Sequence, residues 1–201
     1  MARRVVVALL GPVGWAPPGI DPESWRAALA EDVVDLIATL NEVEPALAAT
    51  AAERPLADAV SWPGMPVYDL PDRTVNAVLA AAAADGYDQA AVIAADAPDL
   101  PGLVVGKLLR PLTSRAVAVA PDGSGRGGLL GLAARLPAPE WLPAVELDGV
   151  VTPAGLRAGA PRPAEVAVTP SWRRLRGPAD LATLDPMVEG WDATRVLLSA
   201  P

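Results

Sequence analysis

Two aspartates follow a buried apolar run closely enough to act together at the end of one strand. In the segment QAAVIAADAPDLP the apolar run stops at Asp96, and Asp99 comes three residues later. Ligands of open α/β sheets bind beyond the carboxyl ends of the strands, and oxygen atoms are the ligands that Mg²⁺ prefers. We therefore predict that Asp96 holds a divalent cation, Mg²⁺ or Mn²⁺, on the phosphates of a nucleotide, and that Asp99 adds a second ligand.

Simpler interpretations exist for both side chains. Asp96 could be an ordinary turn residue of the Asp-x-Pro type, placed where the strand ends. Asp99 could cap a helix that begins near Pro101, because Asp is a preferred N-cap residue and Pro is favoured in the first helical turn. Capping is the favoured interpretation for Asp99, whereas both interpretations of Asp96 stay open.

A glycine-rich loop, PDGSGRGG at 121–128, is the second candidate site. Its glycines let the backbone approach a ligand closely and turn amides toward an anion, and an arginine within it could contact a phosphate or carboxylate. The loop is neither a Walker loop nor a dinucleotide fingerprint, and a flexible hairpin loop explains it nearly as well. We predict that it binds the acceptor substrate through Asp122, Gly125, Arg126, Gly127 and Gly128.

The loop after the first apolar run is the third candidate. Loops in this position often hold a nucleotide, so we predict nucleotide binding by Gly11, Pro12 and Gly14, together with Asp96. No Lys or Arg occurs at 5–25, so the loop itself has no charged group for a triphosphate. Trp15 could stack on a base, although a Trp that anchors the loop to the core is more common.

The residue types that the chain lacks exclude several kinds of catalysis. The 201 residues contain no Cys and no His, which excludes a disulfide framework, a thiol nucleophile, a Ser-His-Asp triad and a His-ligated zinc site. Lys107 is the single lysine. Any chemistry must therefore use carboxylates, arginines, hydroxyls, backbone amides or a bound hard cation.

The charge pattern bears on the partners. The formal net charge is −8, and the one local basic cluster consists of Arg173, Arg174 and Arg176. A cluster of this size is too small to indicate a nucleic-acid site, so no nucleic-acid partner is expected. The acidity does not exclude a nucleotide carried with Mg²⁺. The excess of Ala, Leu and Val fits either a core or a subunit interface, so the oligomeric state stays open.

The first apolar run is short. It breaks at Gly11 after six residues, which is too few for a signal peptide or a membrane span. We interpret the run as a buried strand and predict a cytoplasmic protein without a membrane span.

Alternating apolar segments predict the elements that position these residues. Strands are predicted at 4–10, 89–95, 115–120 and 129–133, with a late strand at 164–170. Helices are predicted at 24–40, 72–84, 101–109, 180–184 and 192–198, and Asp72 is the expected N-cap of the second. The segment 46–51 could be a strand or a helix end, whereas 58–62 and 67–70 are strand or loop candidates. The pattern indicates an α/β fold with a mostly parallel sheet and helices on both faces. Without an internal repeat or a long linker, residues 1–201 are predicted to form one domain.

Three segments, in order, carry a resemblance to a known family. They are GPVG at 11–14, ADAPDL at 95–100 and GGLLGL at 127–132, and their order and approximate spacing hold over residues 4–135. The chain thereby resembles the glycosyltransferase-like bacterial family related to 2-phospholactate guanylyltransferases, within the GT-A nucleotide-diphospho-sugar transferase superfamily. The resemblance implies a GT-A fold and a crevice shaped for a nucleotide or nucleotide sugar.

The chain departs from the family's pattern at three places. WAPP at 15–18 replaces a basic stretch, and Leu129 stands where an aromatic residue is expected. The family tends to have an Asp-x-Asp-Thr-like segment near the C-terminus, where this chain has RLRGPADL at 174–181. The resemblance therefore does not carry over the residues that grip a triphosphate or a second metal ligand.

Two functions follow from these observations. The first, slightly favoured, is an enzyme that transfers a glycosyl or nucleotidyl group from a nucleotide donor, with a cation at Asp96 and the acceptor at the glycine-rich loop. Such transfers depend mainly on positioning and charge stabilisation, so a site without His is chemically acceptable. The second is a catalytically degenerate GT-A-fold protein that acts as a binding or partner module, for which the six Trp could form a contact surface.

Overall fold

A mixed seven-stranded sheet runs through the part of the chain that the computed structural model describes, residues 2–199. The strands are β1 (Arg4–Leu9), β2 (Glu44–Thr50), β3 (Val67–Leu70), β4 (Gln89–Ala94), β5 (Val117–Pro121), β6 (Leu129–Arg135) and β7 (Val166–Val168). The helices are α1 (Pro22–Ala38), α2 (Arg54–Val60), α3 (Val75–Ala84), α4 (Gly102–Leu109), α5 (Pro153–Gly159), α6 (Pro178–Leu181) and α7 (Asp192–Ser199). None of these helices has both the length and the apolarity that a membrane span requires.

The strands lie in the order β3-β2-β1-β4-β6-β5-β7. Neighbours pair in parallel except around β6, which is antiparallel to both β4 and β5. The predicted mostly parallel α/β sheet is thereby confirmed. Because β1 and β4 are parallel neighbours, their carboxyl ends lie side by side in the middle of the sheet.

Two apolar cores cover opposite faces of the sheet, since successive side chains of a strand point to opposite faces. Val5 and Val7 of β1 pack in the core that includes α3, whereas Val6 and Ala8 pack in the core that includes α1 and α4. Every residue of β4 is buried. This burial on both faces explains why β1 and β4 are continuous apolar runs in the sequence.

A glycine in β6 permits the close approach of β4. Gly131 pairs with Ile93, and a Cβ atom at this position would lie 2.6 Å from the carbonyl oxygen of Val92. No L side chain fits at that distance without moving the backbone, which gives a physical reason for the third glycine of the GGLLGL segment.

Several predicted boundaries are wrong because proline begins helices here. Helix α1 begins at Pro22 rather than at 24, and Asp21 caps it by accepting a hydrogen bond from the backbone N–H of Ser24 at 2.8 Å. Helix α2 covers part of the segment 58–62, for which a strand or loop was expected. Helix α5, capped by Thr152, lies in a segment without a predicted element. All three helices have proline at their first or second position, where its missing N–H costs nothing. The segment 46–51, left open above, belongs largely to β2.

Two predicted helix caps are also wrong. Thr74 caps α3 by accepting a hydrogen bond from Ala77, whereas Asp72 accepts one from the backbone N–H of Thr74. Helix α4 begins after Pro101 without a side-chain capping bond, so Asp99 does not cap it. The carboxylate of Asp99 has other partners, which belong to the site described below.

A buried carboxylate holds α7 against α1. Asp32 of α1 is 2% exposed, and its two oxygens accept hydrogen bonds from the backbone N–H groups of Ala193 and Thr194, each at 2.9 Å. Burial raises the pKa of Asp32 to about 6, although these hydrogen bonds oppose the shift. Helix α7 therefore rests on a carboxylate that titrates in mildly acidic solution.

Replacing Asp32 with Asn should remove a pH dependence of stability. Folding raises the pKa of this group from 3.8 to about 6, so its contribution is fully present below the lower value and is lost as pH rises through the higher one. We expect the free energy of unfolding of the wild type, relative to Asp32→Asn, to fall by about 3 kcal/mol over that range, since one pKa unit corresponds to about 1.4 kcal/mol. Urea unfolding of both proteins at several pH values measures it, and a constant difference would contradict the prediction.

Candidate functional site

A crevice opens where β1 and β4 end, at the sheet edge at which the sequence predicts a ligand. The ends of these strands and the loops after them, residues 9–13 and 94–96, form its floor. Its walls come from residues far apart in the chain: Arg26, Ala30, Leu56, Arg73, Glu146, Leu147, Asp148 and Arg174. The cavity volume is about 170 Å³.

The predicted nucleotide-binding residues divide between the crevice and its surroundings. Gly11, Pro12 and Asp96 line the crevice, whereas Gly14 does not. Trp15 packs edge-on against the buried Trp25, with ring centroids 6.2 Å apart and the planes at 88°. The anchoring interpretation of Trp15 is therefore correct, and the crevice is free of its side chain.

The carboxylate of Asp96 is paired with a buried arginine. Arg174 donates from Nε to Oδ1 of Asp96 at 2.5 Å and from Nη2 to Oδ2 at 2.8 Å, and each residue is 5% exposed. Its Nη1 contacts Oδ1 of Asp148 at 2.7 Å and donates to the carbonyl oxygens of Leu129 and Leu147 at 3.2 and 3.4 Å. Burial lowers the pKa of Arg174, but the carboxylates, Asp96 first, outweigh it and hold the pKa above its usual value.

An extended segment, residues 172–176, places this arginine; we call it the arginine strap. Its backbone is tied to the strand ends, because Leu175 N–H donates to the carbonyl oxygen of Asp96 at 2.8 Å and Gly123 N–H donates to that of Trp172 at 2.9 Å. Leu175 is fully buried with Trp25 of α1 and Leu29 of α1. Since side chains alternate along an extended chain, burying Leu175 on one side turns the arginines before and after it toward the carboxylates.

Arg176 is the second arginine that the strap brings to these carboxylates. Its Nη2 lies 3.0 Å from Asp148 and 3.7 Å from Asp122, and its Nε lies 3.9 Å from Asp96. The 3.0 Å contact does not have the geometry of a hydrogen bond and the other two are too long for one, so both nitrogens are buried donors without an acceptor. Two guanidinium groups thus stand among three carboxylates at this end of the crevice.

Asp99, predicted as the second metal ligand, has a different set of partners. Trp172 donates to it from Nε1 at 3.1 Å, and Arg173 forms an ion pair with it. Burial raises the pKa of Asp99, and the bonds from Trp172 and Arg173 oppose the shift. The strap therefore engages both predicted ligands, each with its own arginine.

The described residues do not fit the predicted divalent cation. Within residues 2–199, no group of three or more carboxylates is arranged to hold a metal ion. Both oxygens of Asp96 already accept N–H groups of Arg174, which carries the positive charge that a cation would supply. A metal ion could bind Asp96 only if Arg174 first left a buried position.

The glycine-rich loop contacts the strap instead of the crevice. Asp122 is buried and accepts hydrogen bonds from Ser124 and from the backbone N–H of Arg174. Arg126 forms an ion pair with Asp180 of α6. The predicted acceptor-binding residues Asp122, Gly125, Arg126, Gly127 and Gly128 are all absent from the crevice lining. The loop therefore packs against the strap and holds it in place. Binding of an acceptor by this loop stays a prediction.

Sequence reasoning missed a basic wall of the crevice. Arg26 in the first turns of α1 and Arg73 just before α3 both line the crevice, and both approach Oε1 of the buried Glu53, at 3.5 and 3.4 Å. Arg26 also donates from Nε to the carbonyl oxygen of Gly11 at 2.9 Å. One feature of the sequence could have indicated them. Both arginines lie near the start of a helix, and the helices of such a fold start at the carboxyl edge of the sheet, where ligands bind.

Removing Arg174 should strongly destabilise the protein. Arg174→Met leaves the buried carboxylate of Asp96 without its partner, which we expect to cost about 3–5 kcal/mol in the free energy of unfolding. Removing the orphaned charge as well, in Arg174→Met with Asp96→Asn, should recover part of this loss. The matched control is Arg162→Met, which removes an exposed ion pair with Glu165 and should change stability by less than about 1 kcal/mol. Urea denaturation measures all three, and equal costs for Arg174 and Arg162 would contradict the expectation.

No protein-family model matches the sequence, and no curated protein matches it significantly. Solved structures do resemble the fold. A protein from Desulfovibrio desulfuricans G20 described as a nucleotide-diphospho-sugar transferase superposes with a TM-score of 0.65 at 16% identity, over 98% of this chain and 95% of that one. For 4-diphosphocytidyl-2C-methyl-D-erythritol synthase from Anaerococcus prevotii the TM-score is 0.61 at 11% identity, over 98% and 96%.

A third similar structure contains ligands. Glucosyl-3-phosphoglycerate synthase from Mycobacterium tuberculosis, solved with uridine diphosphate and either Mg²⁺ or Mn²⁺, matches with TM-scores of 0.55 and 0.54 at 17% identity, over 100% of this chain and 80% of that one. At these identities the similarity concerns the fold. Together with the strand order, it shows that the chain has the fold of the nucleotide-diphospho-sugar transferases.

Proposed function

We propose that the crevice binds the nucleotide part of an activated donor, and that the protein transfers a glycosyl or nucleotidyl group from it. The observation that carries the proposal is the pair Arg26 and Arg73, which faces a crevice at the carboxyl ends of β1 and β4. Proteins of this fold that bind uridine diphosphate or make diphosphocytidyl compounds support the same assignment. The relation to 2-phospholactate guanylyltransferases is part of this proposal.

The charges of the crevice orient the bound nucleotide. Arg26 and Arg73 share one carboxylate, Glu53, so this wall keeps a net positive charge. The Nη2 group of Arg26 is buried without a hydrogen-bond acceptor, so a turn of this side chain toward a phosphate oxygen would give it a charge-assisted hydrogen bond. The crevice is also lined by Glu146 and Asp148, whose carboxylates repel phosphate but accept hydrogen bonds from sugar hydroxyls. The phosphates therefore belong at the basic wall.

The size of the crevice limits what it encloses. Pockets for small ligands commonly measure roughly 300–1,000 Å³, whereas this cavity measures about 170 Å³. It holds part of a nucleotide, and the remainder with its transferable group extends toward solvent. Transfer would then depend on positioning and on charge stabilisation by the arginines, which requires no His.

Replacing Arg73 should weaken nucleotide binding without unfolding the protein. Arg73 is 45% exposed, so Arg73→Gln removes a charge–phosphate contact at little cost to stability. We expect the dissociation constants for UDP and CTP to rise about tenfold, since contacts to charged groups contribute on the order of 1.5 kcal/mol. Isothermal titration calorimetry measures both.

The matched control is Arg54→Gln. Arg54 has similar exposure, 40%, and forms ion pairs with Asp58 and Asp69 outside the crevice. Its replacement should leave the dissociation constants unchanged. Equal weakening by both variants would indicate a general charge effect and contradict binding at the basic wall.

A second candidate function is a catalytically degenerate binding module. The observation that favours it is the burial of Asp96 under Arg174, which leaves this carboxylate unavailable as a base or a metal ligand. Assays for release of the nucleotide from UDP- and CDP-activated donors distinguish the two functions. Nucleotide binding without turnover on any donor favours the module, whereas turnover that Arg73→Gln slows favours the transferase.

A further inference from the structure

The atoms around the guanidinium of Arg174 are a set that a hard cation would also accept. They are five oxygens: both carboxylate oxygens of Asp96, one of Asp148, and the backbone carbonyl oxygens of Leu129 and Leu147. Carboxylate and carbonyl oxygens are the usual ligands of Ca²⁺ and Mg²⁺. The side chain that fills this position is a planar cation whose N–H groups point at the oxygens.

We infer that Arg174 is the built-in cation of the site, and that the crevice binds a nucleotide without a divalent metal ion. The second part rests on the proposed function, whereas the first stands on the contacts of Arg174 alone. The Asp96 carboxylate is neutralised by a residue of the same chain. Four of the five oxygens that a metal ion would need already accept hydrogen bonds from Arg174, and the fifth, Oδ1 of Asp148, lies 2.7 Å from its Nη1.

The position of Arg174 is fixed by more than its own side chain. The strap is tied to the end of β4 through the bond between Leu175 N–H and the Asp96 carbonyl oxygen, and Leu175 is fully buried. An entering metal ion would have to displace the guanidinium while the backbone on both sides stays anchored. The displaced charge would also need a new partner, because a buried unpaired charge is strongly unfavourable.

The balance of charges decides where the phosphates go. Around Asp96, the two arginines of the strap face three carboxylates, those of Asp96, Asp122 and Asp148. This end is therefore not an anion site, and Arg174 neutralises carboxylates rather than phosphate. The phosphates bind at the wall of Arg26 and Arg73, where arginines outnumber the carboxylate.

A titration with Mn²⁺ alone tests the first part. The folded wild-type protein, followed by calorimetry and by the electron paramagnetic resonance signal of free Mn²⁺, should bind no Mn²⁺ in the millimolar range. Arg174→Gln removes the charge but keeps a polar side chain, and it should gain one Mn²⁺ site that the further change Asp96→Asn abolishes. Arg174→Lys keeps the positive charge and should not gain the site.

The outcomes of this titration are decisive in either direction. One equivalent of Mn²⁺ on the wild type, lost in Asp96→Asn, would overturn the inference. So would an Arg174→Gln protein with a native circular dichroism spectrum that binds no Mn²⁺, because the oxygens would then not form a cation set. If Arg174→Gln does not fold, the titrations of the wild type and of Asp96→Asn still show whether Asp96 binds Mn²⁺ in the native protein.

A second titration tests the second part with UDP as the probe. The dissociation constant of UDP should be the same in EDTA and in excess Mg²⁺. Binding at least tenfold tighter in Mg²⁺ would overturn metal-independent binding. Absence of UDP binding in both solutions would count against the proposed function, while the Mn²⁺ titration would still decide the role of Arg174.

Discussion

The buried pair of Asp96 and Arg174 is the interaction on which the candidate site depends. Removing two charges from water is costly, and the attraction between them offsets the cost only where the remaining polar atoms also find partners. Here the guanidinium meets oxygens from the end of β4, from the first residue of β6 and from the segment 146–148. Those three segments must therefore stay together for the pair to remain satisfied, and together they form one end of the crevice.

The surroundings of the pair follow from the same constraint. Arg174 reaches Asp96 only if the backbone of the strap stays against the end of β4 and the glycine-rich loop. Two backbone hydrogen bonds hold it there, from Leu175 to Asp96 and from Gly123 to Trp172. Gly128 lies close to both the segment 146–148 and the strap, because a Cβ atom there would be 2.8 Å from the carbonyl oxygen of Leu147 and 3.3 Å from Nη2 of Arg176. Gly128 thus has a structural reason beside any ligand, because it permits close packing next to Arg176.

The sequence predicts what depends on local pattern and misses what depends on distant pairing. The apolar runs of β1 and β4 and the place of Asp96 at a strand end are local, and the structure confirms them. Arg174 is 78 residues from Asp96, and no spacing rule connects a late basic cluster to a particular carboxylate. Arg26 and Arg73 are single arginines in different helical contexts, so only the sheet order shows that they share a wall.

A guanidinium fixed in the chain acts differently at a nucleotide site from an exchangeable metal ion. A metal ion can enter and leave with the phosphates, whereas Arg174 stays because Leu175 and the strap backbone hold it. Its pKa lies above the usual value for arginine, so it stays charged wherever the protein is folded. At this end of the crevice three carboxylates face the two arginines of the strap. The repulsion of an anionic ligand by the excess carboxylate adds to the attraction of Arg26 and Arg73 in directing that ligand to the basic wall.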